Sequence, residues 1–338
     1  MTGRFATAYA SLVAEGGRPS EASYLVVSLD DGLENWFVGM DDQEHPSILV
    51  QSKSALGRQP PPIKLENLDV QFHVPCKIER SGELSNNATC SVVRLNSTDA
   101  ATRDVFFSVC DSIITLLGNT PQDKELSKAM RRLAAIFRKM LAPPTRTLSG
   151  LFAELSLIYQ ALLPHELIRD WRDADEDRYD FSSNDLKVEV KGTSTRRRVH
   201  EFSLEQCKPP TGTSGLVASV FVERAGRGSS IRELQTMIEY RLTGRPDETL
   251  KLREVVAKTL GTSQRQANEV LFDLTRAIDS IAFFDLREIP ALRDEIPLNV
   301  SRVRFVSDLS AEQEISIEKL SDSLPSLSAY QKWSGVIV

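Results

Sequence analysis

Over about the first hundred residues, apolar residues gather mostly in short runs broken by turn formers, the pattern of short strands. "SYLVVSL", "NWFVGM", "SILVQS", "DVQFHVPCKI" and "CSVVRL" are rich in β-branched and aromatic residues, and turn formers such as "DDGLEN" and "RSGELSNN" separate them. This pattern predicts a small antiparallel sheet domain. "RQPPPIK" is expected as a loop, because its three prolines would remove donors from a central strand.

From Asp99 onward the period changes. "TRDVFFSVCDSIITLLG" predicts one helix, and Leu126, Met130, Leu133, Phe137, Met140 and Leu141 mark the inward stripe of a second. Lys128, Arg131, Arg132, Arg138 and Lys139 on that second helix are expected to form a solvated face in preference to a nucleic-acid contact. "APPTRTLSG" breaks the pattern. The next helix, "GLFAELSLIYQALL", carries Leu151, Leu155, Ile158 and Leu162 as its stripe. Glu154 lies about 60° and 40° from Leu151 and Ile158 on a helical wheel, at the edge of the apolar face. A carboxylate leaning toward a core needs a partner there.

A hairpin is expected around residues 179–191, followed by a strand in "RRRVHEFS" that runs into a capping-box pattern at Ser203 to Gln206, predicting a short helix. "GLVASVFVE" reads as a buried strand, and Ser230 with Glu233 opens a helix over "SSIRELQTMIEYRL". Two further helices, "ETLKLREVVAKTL" and "QRQANEVLFDLTRAI", flank Gly261-Thr262-Ser263, and "VSRVRFVSDL" predicts a late strand. The two helices could form a DNA-reading helix-turn-helix. Glu269 and Asp273 beside Arg265 and Arg276 favour a plain helical hairpin.

The expected fold class is mixed, α+β with α/β character. Its expected parts are a β-rich domain over residues 1–118, a helical connector over 119–146, a mixed α/β core over 147–230, and a helical extension over 231–338 with a strand returning to the core.

Composition narrows the partners. The 338 residues hold 41 Lys and Arg against 47 Asp and Glu, a net charge of −6, so any polyanion must be met by a local patch. Cys76, Cys90, Cys110 and Cys207 form no CxxC pair and the four histidines show no zinc-ligand spacing, which predicts reduced thiols. With no signal-peptide pattern and no apolar run near the roughly 20 residues of a membrane span, the expectation is a cytoplasmic, unanchored protein.

Candidate chemistry concentrates in "YDFSSNDLKVEVKG", residues 179–192. Leu186, Val188 and Val190 would face a core, leaving Lys187, Glu189 and Lys191 on the other face. With Ser182 to Asp185 as the loop, residue 181 pairs with 186, and Asp180 falls diagonal to Glu189. Two carboxylates that close repel unless neutralised, which a hard divalent cation with oxygen ligands does well. A lysine beside such an ion can position water for attack on a phosphate. An acid two residues before a lysine occurs at both Asp185/Lys187 and Glu189/Lys191, about as often as chance gives. Periodicity alone fits a surface hairpin with cross-strand salt bridges equally well.

The order of features is more specific. A helix with an inward acid, a strand acid, a strand with acid-x-lysine, then a strand and a capped helix together resemble the PD-(D/E)XK nuclease superfamily. The chain is similar in particular to one bacterial subfamily of PD-(D/E)XK proteins (DUF4420-like). "SGLFAELSLIYQAL", Trp171 in "RDWRDADEDRYDF", "KVEVKGTSTRRRVHEFSLEQ", "SIRELQTMIEYRL" and "VSRVRFVSDLS" carry the resemblance, from about Thr147 to Leu309.

The resemblance implies a restriction-endonuclease-like αβββαβ core and a Mg²⁺-dependent DNA endonuclease, with Mn²⁺ able to substitute. Asp180, Glu189 and the Val190 carbonyl would hold the ion, Glu154 a water or second ion. Lys191 would activate the nucleophile, and Gln206 would contact phosphate or the site. It further implies a role in bacterial restriction or phage defence, with DNA and ATPase, helicase or methyltransferase subunits as partners. Many superfamily nucleases act as homodimers. The alternative is a non-catalytic or partner-activated DNA-binding subunit of such a complex.

Tyr179 stands where the family has proline, and Ala153 where a glycine is more familiar. Residues 165–180 hold seven acids against three arginines, which puts DNA passage at that edge in doubt. Arg196, Arg197 and Arg198 could grip the DNA backbone or form a solvated loop. His200 is expected as a packed strand histidine, and Trp36, Trp171 and Trp333 as core or rim packing.

Overall fold

Phe5, Tyr9 and Leu12 recur at helical spacing, and all three are buried beneath a helix that precedes the predicted strands, α1 (Arg4–Ala14). In this computed structural model, residues 3–29, 32–51, 59–80, 86–173, 177–292, 299–321 and 324–334 are described. Parts of the predicted turns at 30–31 and 81–85, and residues 174–176 of the acidic stretch, lie outside them. The chain separates into two units, residues 1–143 and 144–338.

In the first unit the short apolar runs form β1 (Ser23–Ser28), β2 (Trp36–Asp41), β3 (Pro46–Val50), β4 (Ile63–Lys64), β5 (Leu68–Glu79) and β6 (Asn86–Leu95). Their order is β1-β2-β3-β6-β5-β4, and β1 also pairs with β5 in parallel, so the sheet closes on itself. Closure removes the exposed edges an open sheet would leave. The three prolines lie outside the ladder, although Ile63 and Lys64 behind them pair with Val70 and Asp69. Asp99 caps α2 (Ala100–Leu117) by accepting from the Thr102 N–H at 2.8 Å. The stripe of α3 (Asp123–Met140) buries Phe137 edge-on to Phe106, with ring centroids 6.0 Å apart. Its five predicted basic residues are exposed, and Leu141 falls just beyond the helix, also exposed.

The second unit begins with α4 (Leu148–Gln160), whose first turn is capped by Thr147. Every residue from Leu151 to Tyr159 is buried, whereas Leu162 lies past the helix end and is exposed. Next come α5 (Pro164–Asp170), β7 (Phe181–Ser182), β8 (Leu186–Thr193), β9 (Val199–Ser203), β10 (Ser214–Phe221), β11 (Arg224–Ser229), α6 (Ile231–Arg241) and α7 (Pro246–Leu260). Strands β12-β10-β8-β7 form one sheet, with β12 spanning Ala282–Asp285. Strands β8 and β10 run parallel over their full length, and β10 is buried without a break from Gly215 to Val220. Strand β9 pairs with the late strand β13 (Arg304–Asp308) in a two-stranded ribbon. The whole is a mixed α/β structure of α+β type.

Two predicted helices differ. "QRQANEVLFDLTRAI" splits into α8 (Gln266–Glu269) and α9 (Leu274–Asp279). Between them the backbone bonds toward β11: the Ala225 N–H donates to Leu271 O at 3.0 Å, and the Asp273 N–H to Glu223 O at 3.1 Å. Phe272 is thereby buried against Phe152, at 4.6 Å. The tertiary contact overrides helix periodicity, and four residues of α8 cannot serve as a DNA-reading helix. Gly228 permits the approach, since a Cβ there would meet Phe272 O at 2.2 Å. The predicted helix after Ser203 is only a turn. Both capping bonds form, Gln206 N to Ser203 Oγ at 3.3 Å and Ser203 N to Gln206 Oε1 at 3.0 Å, but Pro209 and Pro210 follow before a second turn can build.

Candidate active site

The hairpin of β7 and β8 pairs Phe181 with Val188 and Ser182 with Lys187. The expected pairing of 181 with 186 is therefore off by two residues. Ser183 closes a tighter turn than the sequence suggests: its N–H donates to Leu186 O at 2.9 Å and its Oγ accepts from Leu186 N at 3.2 Å. Only Asn184 and Asp185 are left at the tip. A shift of two preserves the face of every side chain. Continued one step, the register sets Asp180 directly opposite Glu189 instead of diagonal to it.

The carboxyl of Asp180 is buried. Its Oδ2 accepts from the Val190 N–H at 2.7 Å, while Oδ1 lies 3.6 Å from Arg172 Nε and pairs with Arg146 Nη2. Glu154, on the inner face of α4, accepts from Trp171 Nε1 at Oε2, at 2.7 Å, and pairs through Oε1 with Arg146 Nη1. One guanidinium thus bridges the helix acid and the strand acid. Gly192 on β8 lies close to α4, since a Cβ there would come 3.3 Å from Ala153 Cβ. Small residues on both elements let the helix carry Glu154 to the sheet.

Glu189 is buried too, with Oε1 2.8 Å from Lys191 Nζ. Its Oε2 is buried and meets no hydrogen-bond partner among the described residues. Burial, and after it the facing Asp180, pushes the Glu189 carboxyl up to about 8. Burial also raises Asp180, while Arg172 and the Val190 N–H pull it back. Both carboxyls of this interacting pair are thus raised above their ordinary values. Lys191 Nζ lies 3.5 Å from Gln206 Oε1 and 5.3 Å from the Phe202 ring centroid. Gln206 thus ties the lysine to the turn after β9.

The structure brings Glu154, Asp180, Glu189, Val190, Lys191 and Gln206 together, and adds Arg146, Trp171 and Arg172. In the sequence, "APPTRTLSG" shows only a helix breaker and Trp171 only a packing residue. Glu154 held the signal that could have found them, since a buried carboxylate demands donors.

The three arginines separate. Arg196 is exposed, and Arg197 is exposed and pairs with Asp308. Arg198 turns inward, donating to Ser219 O at 2.9 Å, Ser219 Oγ at 3.0 Å and Ser280 O at 2.7 Å, over the Phe221 ring. Its donors hold the fold together instead of facing a ligand. His200 is buried 2.7 Å from Ser219 Oγ, and burial lowers it to about 4, as suits a packed histidine. The four cysteines are buried, and none is in a disulfide among the described residues.

Among the described residues no group of three or more His, Cys, Asp or Glu side chains gathers in metal-binding geometry. Mg²⁺ requires fewer, because one or two carboxylates with water and substrate phosphate commonly complete its shell. A buried Glu189 Oε2 lacking a donor, facing a second buried carboxylate, fits a hard cation. Among the described residues no helix is long and apolar enough to cross a membrane.

An acid on α4, an acid just before β7 that faces a second on β8, and a lysine two residues on thus converge in one place. Residues 6–310 match the family described as "Putative PD-(D/E)XK family member (DUF4420)", and the chain belongs to that family. No curated protein and no solved structure matched it.

Proposed function

We propose that the protein is a metal-dependent DNA endonuclease with its site on α4, β8 and the segment leading into β7. The observation that carries this reading is the pairing of Asp180 with Glu189, where Glu189 keeps one oxygen without a donor and the other beside Lys191. A structural hairpin has no need to bury two facing acids at such cost. The element order, with an acid on α4, an acid immediately before β7, a third on β8, and β10 parallel to β8, supports a restriction-endonuclease-like core.

Asp180, Glu189 and the Val190 carbonyl would hold Mg²⁺ or Mn²⁺, with Glu154 supporting a water or second ion. When bound, the cation would offset negative charge gathering on the scissile phosphate. Lys191, held by Glu189 and Gln206, would donate to the attacking water and orient it. The Val190 N–H fixes the Asp180 carboxyl before substrate arrives, so little reorganisation is left for the reaction. Arg196 and Arg197 would meet backbone phosphates at the mouth. Cleavage would leave a 3′-hydroxyl and a 5′-phosphate. A role in bacterial restriction or phage defence rests on the family resemblance alone.

A second reading, activity gated by substrate or by a partner subunit, is favoured by the Arg146 bridge across Glu154 and Asp180. The test of the first is to incubate the purified chain with supercoiled plasmid and Mg²⁺, Mn²⁺ or EDTA, then label product ends. Nicks that need metal and carry 5′-phosphates support it; metal-independent cutting or 3′-phosphate ends oppose it.

A further inference from the structure

Arg146 is the feature of the site that hydrolysis does not call for. Its guanidinium is largely buried, with a side-chain exposure of 14%, and it touches two carboxylates exposed only 3% and 2%. Resting on the nuclease reading, we propose that Arg146 is a latch that competes with the cation for Glu154 and Asp180 and, once displaced, binds a DNA backbone phosphate.

The competition follows from how the oxygens are shared. Asp180 Oδ2 holds the Val190 N–H, and Oδ1 faces both Arg146 and Arg172. Glu154 Oε2 holds the Trp171 indole and Oε1 holds Arg146. Of the three site acids, only Glu189 has an oxygen with no donor among the described residues. A dication approaching Asp180 and Glu154 therefore meets a positive charge in place. Arginine stays protonated at any working pH, so the latch cannot open by losing a proton. It opens only by exchange of partners.

The chain around Arg146 suits a swinging side chain on a fixed base. Thr145 N–H bonds to Thr259 O at 3.1 Å, and Thr147 caps α4. The backbone on both sides is held, while the long arginine side chain can rotate about its own bonds. A phosphate diester offers two oxygens to the same two guanidinium nitrogens that now hold Glu154 and Asp180. Backbone phosphate from DNA is thus the natural second partner, and it makes DNA binding and metal loading mutually reinforcing.

Mn²⁺ binding measured by electron paramagnetic resonance, without DNA, tests the latch apart from turnover. If the closed form holds about nine-tenths of the molecules, Arg146→Met binds Mn²⁺ about tenfold tighter than wild type. Arg146→Lys, which keeps a cation but loses the fork, falls between them. Should Arg146→Met not fold, the wild-type protein with ¹⁵N-labelled arginine gives the same information. Its Arg146 Nε–H resonance, assigned against Arg146→Lys, should shift as Mg²⁺ saturates. Equal or weaker Mn²⁺ binding by Arg146→Met, or an Arg146 resonance unmoved by Mg²⁺, overturns the latch alone. Absence of Mn²⁺ binding by every form overturns the latch and the metal-dependent reading together.

Discussion

Asp180 Oδ2 accepts the Val190 N–H at 2.7 Å, so the strand acid is fixed by the backbone link between Glu189 and Lys191. The two halves of the site cannot move independently. Displacing Asp180 would disturb the very strand that presents the second acid and the lysine.

The same coupling extends to α4 through Trp171, whose indole donates to Glu154 at 2.7 Å while its ring stacks near Phe181. Trp171→Phe keeps the ring and removes the donor, leaving Glu154 Oε2 buried with one bond fewer. The expected cost is about 1–3 kcal/mol in urea unfolding. Cleavage should fall through kcat, with KM little changed.

Glu189 gives a stability prediction with a definite sign. Its folded value of about 8 lies above the ordinary 4.5, so the native state holds a proton that the unfolded chain has released. Between those pH values stability falls as pH rises. In EDTA, wild type should lose unfolding free energy from pH 5 to pH 8 relative to Glu189→Gln, by an amount on the order of a few kcal/mol. Parallel pH curves for the two proteins would show that Glu189 is not the buried proton carrier.

His200 works in the opposite direction. Its folded value of about 4 lies below the ordinary 6.5, so stability is present above 6.5 and lost as pH falls toward 4. Wild type should lose roughly 3 kcal/mol over that window relative to His200→Asn. Chemical denaturation of both proteins across that range reads the difference.

The three arginines should behave unlike one another. Arg198→Ala leaves Ser219 and Ser280 carbonyls without their donor, and should destabilise the fold by about 1–3 kcal/mol. Arg196→Ala should leave Tm unchanged and lower the salt slope of DNA binding by about 1. Arg197→Ala should weaken binding less, because Asp308 already pairs with it. Titrations at several salt concentrations with melting curves separate the cases.

What the sequence shows and conceals follows from the range of the forces. The apolar alternation of 186–190 fixed which face Glu189 and Lys191 share, because side-chain parity is local. It could not fix the pairing register, since the Ser183–Leu186 turn bonds depend on the geometry of a single serine. Phe5, Tyr9 and Leu12 carry the spacing of α1, but a helix of that length has only one stripe to declare itself. The break between α8 and α9 was hidden because Phe272 is drawn out by β11 and Phe152, distant in sequence. Arg146 was hidden for the same reason: nothing near it in sequence shows that two acids 8 and 34 residues away converge on it.

Plasmid cleavage by wild type, Glu189→Gln and Lys191→Met, at equal concentration in Mn²⁺ and with folding matched by circular dichroism, tests the central claim most directly. The account predicts nicking by wild type and a loss of at least about a hundredfold in each variant. Cutting that persists in both variants, or no cutting by wild type, would contradict it.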